Sequence, residues 1–293
     1  MHQHHDHEHT GNIRFAFVLN LLFAIAEVIG GILTNSMAII ADAVHDLGDS
    51  LSLGAAWFFE KYSRKGRTAS YTYGYRRFSL LGALINAVVL IIGTVFVLTE
   101  IYERIMNPAE VKADGMFYLA LAGVVINGLA ALRLRRNKSL NSQMVMLHLL
   151  EDVLGWFAVL IASVVIYFTG WHNVDVWLSL VIAVWVIYNA VKGLVSVMKV
   201  VLQASPKEFD YDETLTNLAQ IDGVQNVHDL HVWSLDGDYH IASLHVAVAN
   251  KHPEKDRQMR QEIRKYFNQV DINHVTIETE LPEEAEDCEY RDC

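Results

Sequence analysis

Two short patterns, His45-x-x-x-Asp49 and His148-x-x-x-Asp152, put an imidazole and a carboxylate four residues apart inside long apolar stretches. On a helix that spacing leaves the two groups about 40° apart around the axis and roughly 6 Å apart along it, on one face. A carboxylate at the centre of a membrane helix costs about 2.5–3.5 kcal/mol on insertion scales, so it is expected to face a partner, an ion or a cavity. Two such helices laid face to face offer two nitrogens and two oxygens, a tetrahedral N2O2 cage of the ligand types that Zn(II) accepts. Neutral imidazole binds metal and imidazolium does not, so protons compete with the ion near neutral pH. The two histidines are therefore able to carry protons in the direction opposite to a metal. Polar groups in membrane helices also serve simply to hydrogen-bond helices together; two matched His/Asp pairs favour the metal.

Around these four residues, Asp42 shares the face of the first pair. The small Gly155 follows the second and permits close helix approach. Asp46 and Glu151 each point about 100° away from the adjacent ligand and stay open as ligands or neighbours. Asn20, Asn86, Asn127 and Asn189 read as interhelical hydrogen-bonding groups, whereas Glu27 has no assigned role.

The elements that must hold the patterns are membrane helices. The 293-residue chain is 52% hydrophobic with four Pro, and its mean hydropathy is +0.21. Six apolar segments run over residues 13–33, 38–60, 78–102, 115–134, 143–168 and 174–200, with His45 and Asp49 in the second and His148 and Asp152 in the fifth. Lys and Arg crowd the second loop (Lys61, Arg64, Lys65, Arg67, Arg76, Arg77), the fourth (Arg133, Arg135, Arg136, Lys138) and the end of the sixth span (Lys199, Lys207). By the positive-inside rule both termini are expected in the cytoplasm; the membrane itself is expected to be a bacterial inner membrane. The N-terminus lacks the basic start, short apolar core and cleavage site of a signal peptide.

Beyond Ser205-Pro206 the periodicity changes. Residues 211–221 and 253–268 read as helices, and residues 224–235, 239–249 and 273–281 alternate as strands, with Asp236-Gly237-Asp238 as a hairpin turn. The order αββαβ suits a small sheet with helices on one face. Residues 203–293 hold 8 Lys+Arg against 20 Asp+Glu, so the acidic load sits here, which argues against nucleic acid as a partner. His228 and His231 fall in the first strand and His245 in the second, while His274 and Glu280 flank the third. Adjacent strands are able to gather such groups at one sheet end. Cys288 and Cys293, spaced C-x4-C, form no disulfide framework. The opening residues, Met-His-Gln-His-His-Asp-His-Glu-His, are compositionally a metal-binding tract, suited to weak ion capture at the entrance.

The segment Ser36-Met37-Ala38-Ile39-Ile40-Ala41-Asp42-Ala43-Val44-His45-Asp46-Leu47-Gly48-Asp49 resembles the second helix of cation diffusion facilitator transporters. Tyr73-Gly74-Tyr75-Arg76-Arg77 resembles the start of their third helix, and His148-Leu149-Leu150-Glu151-Asp152 their fifth. Val227-His228-Asp229-Leu230-His231-Val232-Trp233 resembles the first strand of their cytoplasmic domain. The resemblance implies an α-helical membrane protein with six transmembrane helices (residues 13–202) and a C-terminal α+β ferredoxin-like cytoplasmic domain (residues 207–282). A His-rich tail (1–12) and an acidic Cys-containing tail (283–293) flank them. It further implies a homodimer that exports a divalent metal in exchange for protons. Its transport site would be His45, Asp49, His148 and Asp152. The His in the second-helix pair is similar to the zinc branch, in which cadmium is often also carried; cobalt and nickel stay open, and manganese-type members more often have Asp there. His228, His245, His274 and Glu280 match a cytoplasmic zinc site, and Glu278 matches a ligand position in some members. Related transporters often carry a Cys pair in the tail, so Cys288 and Cys293 join the candidates for Zn2+, as does His231. The loop Tyr71-Thr72-Tyr73-Gly74-Tyr75 offers no His or Asp, so its basic neighbours are expected to meet the acidic soluble domain or lipid headgroups instead.

Other classes fit less well. A P-loop, G-x-x-x-x-G-K-[ST], is absent, against an ATP-driven pump, and H-E-x-x-H is absent, against an intramembrane metalloprotease. No enzyme is expected. A membrane-anchored metal sensor or buffer without net transport is the remaining alternative, and flux across vesicles separates it from a transporter.

Overall fold

The computed structural model describes residues 6–63, 65–134, 140–249 and 252–282. The chain divides into two compact units. One comprises Met1–Tyr62 with Leu81–Leu194, the other Ser63–Leu80 with Val195–Cys293.

Six long helices come first: α1 (Asp6–Thr34), α2 (Met37–Ser63), α3 (Phe78–Met106), α4 (Ala113–Leu134), α5 (Leu140–Thr169) and α6 (Asn173–Val201). Among the described residues, α3, α4, α5 and α6 contain stretches long and apolar enough to cross a membrane, and α1 contains a shorter one, Asn20–Thr34. In α2 the charged and polar groups at positions 42, 45, 46 and 49 interrupt the apolar run. Helix α1 starts at Asp6, so part of the polar opening tract is helical; once a helix is nucleated, adding a residue costs little.

The turn between α1 and α2 shows how the hairpin is fixed. Asn35 takes a left-handed φ of 59°, a conformation that Asn tolerates better than most residues. Arg104 at the end of α3 donates to the Asn35 backbone oxygen and to Oδ1, each at 2.6 Å. Ser36 is the N-cap of α2, its Oγ accepting from Ile39 N at 3.3 Å. Between α4 and α5 packing is close enough to need a glycine. A Cβ at Gly123 would lie 2.2 Å from the Trp156 ring, and Trp156 is buried with Val159, Ala162 and Ile166 against Met116 and Ala120.

The second unit contains α7 (Tyr211–Leu218), β1 (Asn226–Ser234), β2 (His240–Ala247), α8 (Pro253–Gln269) and β3 (Ile272–Glu280), the αββαβ order read from the sequence. Asp210 caps α7 by accepting from Glu213 N at 2.9 Å, and Pro253 stands in the first turn of α8, where a missing N–H costs nothing. The sheet order is β1-β2-β3. β1 and β2 are antiparallel through a turn in which Gly237 has φ 104°. β2 and β3 are parallel, which requires the long crossover that α8 supplies. Leu218 of α7 and Met259, Ile263 and Phe267 of α8 share one core with Leu230, Val232, Leu244, Val246 and Ile272, so both helices cover one sheet face. This is the α+β, ferredoxin-like arrangement expected.

Candidate metal centres

In the membrane unit, α2 and α5 bring metal-type donors together. Ligand atoms of His45, Asp46 and Asp152 lie within 4.8 Å of one another, and His45 Nε2 is 3.7 Å from Asp49 Oδ2 one turn along α2. His148 lies one turn before Asp152 on α5; its side chain is outside the described residues. Asp46, left open by the helix wheel, is only 5% exposed, so its carboxylate has no bulk water to solvate it. Asn20 of α1 donates to the Asp46 backbone oxygen and to Ser50 Oγ, both at 3.2 Å, and so ties α1 to the site helix. Glu27, also buried in α1, lies against Asp46. On the other side Asp42 faces Gly155 of α5: a Cβ there would sit 3.6 Å from Asp42 Oδ1. The close approach expected of Gly155 is thus an approach to a carboxylate. The group is richer in oxygen than the N2O2 set alone.

The second cluster stands at one end of the soluble sheet. His228 and His245 are direct partners across the β1–β2 pair, with ring centroids 5.4 Å apart. Glu280 of β3 pairs with Ala247 of β2, two residues beyond the His245–Glu278 pair. The period of two puts Glu280 and Glu278 on the same face. Glu280 bridges the imidazoles, with Oε2 3.2 Å from His228 Nε2 and Oε1 2.5 Å from His245 Nδ1. Glu278 reaches His245 Nε2 at 3.6 Å. These are donors of the kind zinc takes, and His228, His245 and Glu280 converge within 4.8 Å.

His274 is not in this group. The parallel register sets it beside Ile241, four residues before the His245–Glu278 pair. That is about 13 Å along the strand, and its ring meets Tyr73 edge-on at 6.0 Å. His231 is at the margin: a bulge between His228 and His231 gives Asp229 a φ of 50°. The Asp229 carboxylate then lies 2.8 Å from His231 Nε2 and 3.6 Å from His245 Nε2. The sequence reading omitted Asp229; its signal was the His-Asp-Leu-His run, where an Asp that tolerates positive φ marks a bulge. Cys288 and Cys293 lie outside the described residues.

A helical membrane unit with clustered metal donors, followed by a small α+β unit with a second cluster, defines a membrane transporter of metal ions. Residues 13–202 match the profile of the cation efflux transmembrane domain, and residues 206–281 match that of the cation efflux protein cytoplasmic domain. The chain belongs to this family, the cation diffusion facilitators. It is 33% identical over 286 residues to the metal cation efflux system protein CzcD of Cupriavidus metallidurans, covering 94% of this chain and 90% of that protein. It is 31% identical over 303 residues to the zinc transporter ZitB of Escherichia coli, covering 99% and 95%. A cadmium, cobalt and zinc/H(+)-K(+) antiporter of Bacillus subtilis is 30% identical over 287 residues, covering 95% and 91%.

Proposed function

We propose that this protein exports Zn2+, and also Cd2+, from the cytoplasm in exchange for protons. The transport site is His45, Asp49, His148 and Asp152, with Asp46 as a further oxygen donor. The observation that carries the reading is the convergence of His45, Asp46 and Asp152 from two helices of the membrane unit, their ligand atoms within 4.8 Å of one another. Borderline nitrogen and hard oxygen donors suit Zn2+ and Cd2+ and admit Co2+; the names of the relatives span these three metals. Because His45 and His148 must be neutral to bind, the metal and the protons exclude each other at one place. A pH gradient is then able to drive the ion outward.

The protein acts as a homodimer in a bacterial inner membrane with both termini cytoplasmic. His228, His245 and Glu280 would hold a resident Zn2+, with Glu278 and Asp229 at hand as further donors. That ion would tie β1, β2 and β3 together at one end of the sheet and bias the equilibrium between inward- and outward-facing states. The test is zinc flux into proteoliposomes with and without an imposed pH gradient, for the wild type and for Asp152→Ala. Gradient-driven uptake lost in Asp152→Ala supports antiport through this site. Zinc binding without flux in the wild type would instead favour a sensor or buffer.

A further inference from the structure

At the foot of α6 a cavity of about 200 Å3 is lined by Ser196, Lys199, Ser205, Lys207, Ser234 and His240, with Glu208 as its single carboxylate. Its wall is built by the helix end. Gln203 takes φ 61°, while Ala204 N donates to Lys199 O at 2.8 Å and Gln203 N to Val200 O at 3.1 Å. These are the paired bonds of a Schellman cap. The cap turns the chain at the last turn of the α6 span and brings Ser205 and Lys207 back beside Lys199. The opposite wall comes from the β1–β2 turn, where Ser234 Oγ accepts from Gly237 N at 2.8 Å. His240, at the start of β2, lines the same wall.

The lining selects the ligand's charge. Residues 203–293 carry 8 Lys+Arg against 20 Asp+Glu, so a cavity with two lysines and one carboxylate runs against the trend of its domain. Two ammonium groups repel a divalent cation, which removes His240 from the metal chemistry of the other clusters. Ammonium groups, serine hydroxyls and an imidazole are donors suited to phosphate oxygens. The volume lies below the roughly 300–1,000 Å3 of drug-sized ligand sites, so it admits a phosphate group or small headgroup rather than a nucleotide. Lys199 belongs to the last turn of the 29-residue apolar α6; about 20 residues cross the hydrocarbon core, so a helix of that length is able to carry its last turn to the headgroup region.

We propose that this cavity binds a phosphate group, supplied by the headgroup of an anionic phospholipid or by free inorganic phosphate. The site is separate from both metal clusters and stands whether or not zinc is the transported ion.

The experiment uses the full-length protein in detergent, with bound lipid counted by native mass spectrometry in phosphatidylglycerol or phosphatidylcholine, and inorganic phosphate added as competitor. Wild type is expected to retain phosphatidylglycerol in preference to phosphatidylcholine. Lysines near an anionic surface each contribute about fivefold, so Lys199→Gln with Lys207→Gln is expected to lower the preference about thirtyfold. The charge-matched pair Lys255→Gln and Lys265→Gln on α8 should leave it unchanged. Displacement by inorganic phosphate, or phosphate binding without lipid preference, assigns the site to the phosphate group itself. Retention of phosphatidylglycerol that resists phosphate assigns it to the lipid. The proposal is overturned by equal retention of both lipids together with no phosphate binding. An equal loss in the α8 control would overturn it as well.

Discussion

At the residue scale the membrane site turns on a carboxylate that its position on the helix wheel does not favour. Asp46 is adjacent to His45 and points about 100° away from it, yet its oxygen joins His45 and Asp152 within 4.8 Å. The wheel describes directions from one axis, whereas the site is enclosed by α2 and α5 with α1 behind, where Asn20 holds the Asp46 carbonyl and Glu27 lies against its carboxylate. If Asp46 is a ligand, Asp46→Asn should raise the KM for zinc flux about 10–100-fold, the range seen when an oriented group next to a metal is removed. The maximal rate should change less. An unaltered KM in proteoliposomes would return Asp46 to the role of a helix-packing group. The His-x-x-x-Asp spacing singled out α2 and α5, and these two helices do bring His45, Asp46 and Asp152 together. The sequence left Asp46 open as a ligand or a neighbour, because its place depends on which helices enclose it. His274 illustrates the same limit in the sheet. Its residue type suited the cluster, but the parallel β2–β3 register carries it to Ile241, and no pattern within one strand encodes that register.

At the element scale the position of α2 depends on a residue of α6. Asp175 is fully buried. It accepts from Ser36 Oγ at 2.5 Å, from Met37 N at 2.7 Å and from Ala38 N at 3.3 Å, while Ser36 Oγ accepts from Ile39 N. Three of the four N–H groups that a helix start leaves without helical partners are thereby satisfied. A negative charge at that end also suits the helix dipole. The short Thr34-Asn35-Ser36-Met37 linker showed that α1 and α2 form a hairpin. That the cap comes from a residue 139 positions later was not readable from local pattern. Asp175→Ala leaves buried donors unpaired, at about 1–3 kcal/mol. For a chain of this size that is a fall in Tm on the order of 5 °C. Asp175→Asn, which keeps an oxygen acceptor, should lose less. Equal Tm values for wild type and Asp175→Ala would mean that the cap contributes nothing to α2. Because α2 carries His45, Asp46 and Asp49, a displaced α2 should also weaken zinc affinity without abolishing it.

At the scale of the whole molecule, the loop from α2 to α3 belongs to the same compact unit as the soluble sheet. The sequence reading expected its basic residues to meet that acidic domain or lipid headgroups, and Arg76 meets the domain. Its Nη1 is 3.3 Å from Asp236 Oδ2, and its guanidinium lies 4.4 Å from the centre of the Tyr239 ring. Asp236 is held in turn, accepting from Tyr239 N at 2.8 Å and Asp238 N at 3.1 Å. The contact therefore meets a rigid turn rather than a loose loop. That turn joins β1 to β2, the strands that carry His228 and His245 at their far ends. The hairpin is thus a continuous element with metal donors at one end and an attachment to the α2–α3 loop at the other, while α2 leads directly into that loop. An exposed ion pair contributes about 0.2–1 kcal/mol, and a cation over a tyrosine adds about 0.5–1 kcal/mol. Arg76→Glu should accordingly slow zinc flux by up to about thirtyfold, with zinc affinity at the soluble cluster unchanged. Adding Asp236→Arg should recover at least half of the lost rate, the remainder reflecting the Tyr239 contact. If Arg76→Glu leaves flux at the wild-type rate, the hairpin does not transmit through this attachment. If the flux falls and the charge swap restores none of it, Arg76 acts through something other than Asp236.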